Sequence, residues 1–255
     1  MSDICLEMEH VHKTYMRREG KKKIKIHALD DVSFSLNKNE FLGIIGPSGC
    51  GKSTVIKILL GIAKADSGKY NVHGTVGFVG QDPYTSLSAS MEVEKIVAEP
   101  LIFSHRERRY KNCEDRVRKA MSDVHMDYDK YVGRFPHQLS GGERQRIGIA
   151  RALILEPEVL IMDEPTSMLD QAVKQEICDI ISEVSLQEGR SLLMVTHDIT
   201  MASKMCTQLC VMQDGRLIEN GTTDEILKNP KEELTKNLIT IGTDVKIYWK
   251  ESYDV

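Results

Sequence analysis

The residues best suited to chemistry lie in the stretch GPSGCGKST, at positions 46–54. Its glycines let the backbone wrap closely around an anion, because no Cβ atoms obstruct the approach. An apolar run precedes the stretch and a helical pattern follows it, and a helix there would aim its N-terminal N–H groups at the anion. The pattern G-x-x-x-x-G-K-[ST] in this context predicts a phosphate-binding loop. Its expected members are Gly46, Pro47, Ser48, Gly49, Cys50, Gly51, Lys52, Ser53 and Thr54.

Within this loop, Lys52 is expected to reach the β- and γ-phosphates of a nucleotide, and Ser53 is expected to ligate Mg²⁺. An acidic pair, Asp163-Glu164, ends a second apolar run. Ligands of open parallel sheets bind at the carboxyl ends of the strands. We therefore expect Asp163 to hold Mg²⁺ through water and Glu164 to polarise an attacking water. These features leave kinases, GTPases, helicases and transport motors as alternatives.

A second stretch of small residues that could surround a phosphate, a second cradle in addition to the phosphate-binding loop, lies in LSGGERQRIGIARAL, at positions 139–153. Ser140, Gly141 and Gly142 precede a helical pattern, and one bound nucleotide does not need two cradles from one chain. The simpler interpretation is an ordinary serine-capped helix start, which explains Ser140 but not the whole constellation. The economical explanation is that this cradle serves a nucleotide held by another chain.

The elements that must position these residues alternate between strand and helix patterns. Buried-strand runs at 75–80, 158–164 and 191–197 are separated by helical stretches, which predicts an α/β fold with a mostly parallel sheet. The opening segment alternates as antiparallel strands do, with MRREGKKK as a polar connection. Residues 86–150 lack buried-strand runs and are rich in charge, which indicates a helical subdomain. Asp214-Gly215 joins two apolar runs and predicts a hairpin.

The composition of the 255-residue chain argues against some classes of function. The formal charge of −4 argues against a nucleic-acid partner bound by bulk electrostatics. The six cysteines show no CxxC pairing and are expected to be reduced; Cys206 and Cys210 have a spacing that would suit one helix face. No apolar run approaches the length of about 18 residues that a membrane span requires. We therefore expect a soluble chain that reaches a membrane only through a partner.

The motifs GPSGCGKST, LSGGE, LIMDEPTSMLD and MVTHD, in this order, resemble those of the ATP-binding cassette family over essentially the whole chain. The resemblance implies ATP and Mg²⁺ as cofactors and a P-loop NTPase fold with an N-terminal antiparallel β subdomain. It also implies roles for single residues. Tyr15 would stack on adenine, Gln81 would sense Mg²⁺ and the γ-phosphate, Asp170 would act across a dimer, and His197 would contact the γ-phosphate.

The resemblance implies one nucleotide-binding domain over residues 1–250, with the helical subdomain at 86–150 inserted in a RecA-like core and 251–255 as a tail. Two positions depart from the family pattern. Glu143 stands where glutamine is commonest in the signature, and Met168 stands where alanine is usual. Neither departure removes a phosphate contact or a catalytic group, so a competent ATPase is expected.

A narrower resemblance, carried by QDPYTSLSASMEVEKIVAEPL and FPHQLSGGERQRIGIARAL, is to the peptide and nickel importer branch. It implies a motor subunit at the cytoplasmic face of the membrane. The implied partners are a second cassette chain, identical or more commonly different, two transmembrane permease subunits and, indirectly, an extracytoplasmic substrate-binding protein. No nucleic acid is implied. The segment from Asp82 to Leu101 is the expected docking region for a permease.

Three other interpretations compete with the importer. The first is an accessory ATPase of a soluble enzyme complex, such as the carbon–phosphorus lyase cassette subunits, and the QDPYTSL region argues mildly against it. A DNA-repair or chromosome cassette ATPase would contain long coiled coils or zinc modules. A ribosome-acting factor would usually contain two cassettes, whereas this chain has one.

Overall fold

A computed structural model describes residues 3–20, 22–187 and 189–242. The strands are β1 (Ile4–Glu19), β2 (Lys22–Asn37), β3 (Phe41–Ile45), β4 (Ser67–Val72), β5 (Val76–Val79), β6 (Val159–Asp163), β7 (Ser191–Thr196), β8 (Gln208–Gln213) and β9 (Arg216–Thr222). The α-helices are α1 (Lys52–Leu59), α2 (Val93–Phe103), α3 (Glu114–Asp123), α4 (Tyr128–Tyr131), α5 (Gly141–Leu153), α6 (Gln171–Gln187), α7 (Ile199–Met205) and α8 (Thr223–Lys228). Residues 233–242 are also helical. The predicted domain end at 250 and the tail at 251–255 lie outside the described residues.

The described residues form two compact units. The first contains the chain up to His73 and again from Leu193, and the second is Gly74–Leu192. The helical stretch expected at 86–150 falls within the second unit, where it contains α2 to α5 and two 3-10 turns and no strand. The single domain over 1–250 stays a prediction.

The first unit contains an antiparallel sheet with the strand order β2-β1-β4. The buried side chains of Leu6 and Met8 alternate along β1, as its pattern predicts, and a register shift separates Met8 from the next buried residue, Val11. The expected polar connection MRREGKKK is mostly strand rather than loop. Pairing continues from Tyr15 opposite Ile26 as far as Glu19 opposite Lys22, because cross-strand bonding outweighs the polar composition.

The first unit also contains the strands that support the phosphate loop, in the order β7-β3-β8-β9. β3 pairs with β8 in parallel, from Leu42 opposite Gln208 to Ile45 opposite Val211, and β3 is buried throughout. Continuous burial is typical of parallel strands covered on both faces. β8 and β9 form the predicted hairpin, and its turn residues Asp214 and Gly215 have φ values of 47° and 81°. Two positive φ values suit the Asp-Gly pair.

In the second unit, β5 and β6 pair in parallel from Val76 opposite Val159 to Val79 opposite Met162. Helices α2, α3 and α5 pack on one another. Their contact surfaces are closed by fully buried side chains, among them Ile96, Leu101, Met121, Ile147 and Ile149. These features confirm the expected α/β class with parallel core strands and an N-terminal antiparallel sheet.

Two further expectations concern cysteines and membrane spans. The six cysteines are buried as thiols, but Cys206 follows α7 and Cys210 lies within β8, so these two do not share a helix face. A strand replaces the helix suggested by their spacing because β8 pairs on both sides. Within residues 3–20, 22–187 and 189–242, no helix combines the length and apolarity needed to cross a membrane.

Candidate functional site

The phosphate loop connects β3, which ends at Ile45, to α1, which begins at Lys52. Gly51 is the N-cap of α1 and has a φ of 118° with no side-chain capping bond. Most side chains avoid this backbone conformation, whereas glycine tolerates it. A helix that begins without a side-chain cap offers its first N–H groups to a ligand, and an anion suits both these donors and the helix dipole.

Close packing fixes the path of this loop. A Cβ atom on Gly46 would lie 2.2 Å from the carbonyl oxygen of Met212, and one on Gly51 would lie 2.4 Å from that of Ala28. The loop is further tied to the β8–β9 hairpin, since the Gly215 N–H donates to the carbonyl oxygen of Cys50 at 2.9 Å. The loop therefore has a fixed backbone that only glycine fits at two positions.

Lys52 is buried, with 6% of its surface exposed. Its ammonium group donates to the carbonyl oxygens of Gly46 at 2.7 Å and Pro47 at 3.0 Å, so it lies inside the loop. A positive charge held in a ring of peptide groups suits a phosphate oxygen. Cys50 is buried beside it, and burial raises the pKa of its thiol. Ser53 is exposed, and its hydroxyl is a hard oxygen donor of the kind Mg²⁺ prefers.

Two more predicted residues belong to the first unit. Tyr15 lies on β1 with 37% of its surface exposed. The ammonium of Lys13 is 5.3 Å from the Tyr15 ring centroid and also forms an ion pair with Asp66 at 2.8 Å. The Asp66 carboxylate also accepts the Thr14 N–H, so the two residues just before the exposed Tyr15 ring are both bonded to Asp66. His197 is exposed directly after β7.

The second unit brings Gln81 and Glu164 together. The amide Nε2 of Gln81 donates to Oε2 of Glu164 at 3.2 Å. Because β5 and β6 end level with each other, the residues that follow them meet at one edge. Asp163 is the last residue of β6. Glu164 has a φ of 45°, which is a strained conformation for a glutamate.

Ser140, Gly141 and Gly142, called here the signature cradle, lie at the N-terminus of helix α5. The Ser140 Oγ accepts the Glu143 N–H at 3.3 Å, and the Glu143 carboxylate accepts the Ser140 N–H at 2.8 Å. This reciprocal pair is a capping box. A Cβ atom on Gly142 would lie 2.6 Å from the Cγ1 atom of Val173, whereas one on Gly141 would reach the Tyr84 hydroxyl only at 3.3 Å. Glycine is thus required here for close packing.

Asp170 caps α6, where its Oδ1 accepts the Val173 N–H at 3.1 Å. A contact across a dimer, as the family pattern implies for Asp170, therefore starts from a carboxylate that also has a structural function within the chain. Met168, the second departure from the family pattern, is exposed over 56% of its surface. Its side chain leaves the local packing unchanged.

Sequence reasoning missed the side chains that hold the signature cradle and the segment after Gln81. Tyr131 donates its hydroxyl to Glu143, the guanidinium of Arg144 lies 4.3 Å from the Tyr84 ring centroid, and Arg151 donates to the carbonyl oxygen of Ser86 at 2.7 Å. The spacing Ser140-x-x-Glu143 was a recognisable capping-box signal. The partners of the arginines had no local signal, because they are distant in sequence.

The model of the ABC transporter family matches residues 29–167. The oligopeptide transport ATP-binding protein OppF of Bacillus subtilis is 34% identical over 257 residues, which cover 94% of this chain and 83% of OppF. The probable D,D-dipeptide transport ATP-binding protein DdpF of Escherichia coli is 33% identical, over 94% of this chain and 79% of DdpF.

Two solved structures have the same fold. The dimeric ATP-binding cassette MJ0796, bound to ADP and Pi after hydrolysis, matches with a TM-score of 0.74 and 27% identity, over 86% of this chain and 98% of that cassette. The cbiO1 protein of Clostridium perfringens, part of the ABC transporter complex cbiONQ, matches with a TM-score of 0.76 and 26% identity, over 96% and 99% of the two chains. This chain belongs to the ABC transporter family and is one of its ATP-hydrolysing members.

Proposed function

We propose that the chain is the ATP-hydrolysing motor subunit of an importer whose cargo class is peptides. The observation that carries the motor function is the glycine-capped start of α1, with the Lys52 ammonium held inside the loop. The relatives named for oligopeptide and dipeptide transport support the cargo class and favour an importer over an accessory ATPase. Nickel or metal chelates, which the sequence resemblance also implies, are the second cargo class.

ATP fits the loop because the donor set is complete for an anion. The backbone of residues 46–54 would surround the β- and γ-phosphates, with Lys52 as the cation. Tyr15 presents an exposed ring for adenine. From the family pattern, Ser53, Asp163 and Gln81 would hold Mg²⁺, since each has a hard oxygen donor. The bound metal would supply charge stabilisation of the phosphates.

Hydrolysis is assigned to Glu164, whose carboxylate would accept a proton from the attacking water. Gln81 holds this carboxylate and would orient it. His197 would donate a hydrogen bond to the γ-phosphate. Across a dimer of cassettes, Ser140, Gly141 and Gly142 would cover the nucleotide of the partner, with Asp170 nearby. The dimeric cassette among the solved relatives supports this arrangement.

The remaining partners are proposed from the family. Two transmembrane permease subunits would bind the segment from Asp82 to Leu101, which places the chain at the cytoplasmic face of a membrane. Tyr84 in this segment is exposed over 54% of its surface, which makes it available for such a contact. An extracytoplasmic binding protein would deliver the cargo to the permeases.

The substitution Glu164→Gln tests the catalytic assignment. It preserves the shape of the side chain but removes its ability to accept a proton, so we expect turnover to fall by at least about 100-fold while nucleotide affinity changes by less than about twofold. Glu158→Gln, just before the same strand, is the matched control. Undiminished hydrolysis by Glu164→Gln would remove Glu164 from this role.

The transport assignment is tested by purifying the tagged chain from its native host in mild detergent and identifying its partners by mass spectrometry. Two polytopic membrane proteins and a second cassette are expected. An attached binding protein would then be tested for peptide and for nickel. Recovery of soluble enzymes alone would contradict the importer and assign the chain to an accessory class.

A further inference from the structure

Glu143, the departure in the signature, uses both carboxylate oxygens. Its Oε2 accepts the Ser140 N–H at 2.8 Å, and its Oε1 accepts the Tyr131 hydroxyl at 2.5 Å. The Ser140 Oγ in turn accepts the Glu143 N–H at 3.3 Å. A hydroxyl that accepts in this way keeps its own proton for donation. The Ser140 hydroxyl also forms a hydrogen bond with the Glu143 carboxylate, which therefore contacts Ser140 through both its backbone N–H and its side chain.

Tyr131 is well placed to hold this arrangement. It is buried at the end of α4, and its carbonyl oxygen accepts the Arg134 N–H at 3.1 Å. The loop that follows is tied to the start of α2 at two points: the Arg134 carbonyl oxygen accepts the Val93 N–H at 2.8 Å, and the Gly133 N–H donates to Glu94 at 3.0 Å. The phenol is thus presented to Glu143 from a fixed backbone.

Positive charges surround the Tyr131 ring. The Lys130 ammonium lies 5.2 Å and the Arg134 guanidinium 5.3 Å from its centroid. Cations near the face of a phenol are attracted by its π-electrons and strengthen the hydroxyl as a donor. The hydrogen bond from Tyr131 lowers the pKa of Glu143, and the same bond raises the pKa of Tyr131. The proton therefore stays on the phenol and the negative charge on the carboxylate.

A carboxylate at this position creates an electrostatic conflict. Its charge suits the N-terminus of α5 but repels the phosphates that Ser140 would receive. The hydrogen bond from Tyr131 fixes one oxygen of Glu143 and partly neutralises its charge. A glutamine at this position would not need this compensation, since it carries no charge.

We propose that Tyr131 is a positioning residue for ATP hydrolysis, which through its hydrogen bond to Glu143 holds the Ser140 cradle in the geometry that receives a nucleotide. The inference rests on the proposed function, in which Ser140, Gly141 and Gly142 would cover the nucleotide of a partner cassette. Tyr131 itself does not contact the nucleotide.

The test is Tyr131→Phe, assayed in the complex purified through a tag on this chain. Loss of a charge-assisted hydrogen bond is expected to lower turnover by about threefold to tenfold. Nucleotide affinity of the chain itself stays unchanged, because Lys52 and its loop are intact. Amide hydrogen exchange over residues 139–146 becomes faster. Tyr128→Phe on the same short helix is the control, since the Tyr128 ring faces Arg118 at 4.0 Å rather than Glu143.

A double-mutant cycle separates positioning from general stability. In a Glu143→Gln background, the phenol meets a neutral amide, so the effect of Tyr131→Phe on turnover should shrink to less than about twofold. Glu143→Asp, whose shorter side chain cannot satisfy both partners, should lower turnover as Tyr131→Phe does.

Equal effects of Tyr131→Phe in both backgrounds would overturn the proposal, as would faster exchange with unchanged turnover. Ser140→Ala in the same assay tests the underlying function separately. Unchanged turnover in Ser140→Ala would refute the cradle across the dimer. A loss in Ser140→Ala without a loss in Tyr131→Phe would refute only the role of Tyr131.

Discussion

Helix α1 begins after a glycine that has no side-chain cap, whereas α5 begins after a serine that is capped reciprocally with Glu143. In the first case, the N–H groups at the helix start are available to a ligand, and the cation comes from Lys52 within the loop. In the second, the N–H groups of Ser140 and Glu143 are bonded within the chain by the capping box. Under the proposed function, the N-terminus of α1 would hold the nucleotide of this chain, and the N-terminus of α5 would cover the nucleotide of a partner.

The glycines at the N-termini of α1 and α5 are also needed for different reasons. Gly49 and Gly51 have φ values of 83° and 118°, so the phosphate loop needs glycine for its backbone conformation. Gly142 has no positive φ, and the nearest atom to its added Cβ would be a side-chain methyl of Val173. A substitution in the phosphate loop is therefore strained by its own backbone, whereas the strain of a substitution at Gly142 could be relieved by a smaller residue at position 173.

The largest expected effect is that of Gly51→Ala. A Cβ atom there meets a backbone oxygen at 2.4 Å in addition to the unfavourable φ. We expect the free energy of unfolding to fall by more than about 3 kcal/mol and nucleotide binding to be lost. Gly49→Ala, with no atom within 4 Å of the new Cβ, should cost only about 1–2 kcal/mol. Urea unfolding of both variants measures the difference, and equal losses would contradict the steric argument.

Lys52→Ala is expected to lower ATP affinity by about 100-fold, because a buried cation that suits phosphate is removed. Lys57→Ala, in the last turn of the same helix, should leave affinity unchanged. Titration with a fluorescent nucleotide measures both. An unchanged affinity in Lys52→Ala would refute the assignment of the phosphate loop.

Gly142→Ala should destabilise the second unit by about 1–3 kcal/mol, since the added methyl overlaps Val173 at 2.6 Å. In a Val173→Ala background the added methyl has room. There, Gly142→Ala should lower the stability much less than it does in the wild-type protein. Thermal unfolding of the four proteins in the cycle provides the measurement. Additive losses would mean that Gly142 is required for its backbone, as Gly51 is.

The smallest effect concerns pH. The bond from Tyr131 holds the pKa of Glu143 below its usual range, so the folded state binds fewer protons at this group than the unfolded state. Its contribution to stability is present above the ordinary pKa of the carboxyl and is lost as pH falls through the lower folded value. The difference in urea midpoint between wild type and Glu143→Gln should therefore shrink between about pH 5 and pH 3. A constant difference would contradict this.

Much of the fold and of the candidate site was predictable because it rests on local patterns. The β3–loop–α1 unit followed from GPSGCGKST and its flanks, and the β8–β9 turn followed from Asp214-Gly215. The extension of β1 and β2 through MRREGKKK was not predictable, because pairing between strands overrode a polar composition. The strand that contains Cys210 followed from the hairpin pattern, whereas the spacing of Cys206 and Cys210 did not indicate a shared helix face.

The sequence by itself determined the family and predicted the phosphate loop and the acidic strand end, because each depends on residue types at fixed short spacings. Only the tertiary structure decided that Gln81 holds Glu164, that Tyr131 holds Glu143 and that Lys52 is folded into its own loop. The first two contacts join residues that are 83 and 12 positions apart. No local pattern encodes such pairs, since they form only when packing brings separate elements together.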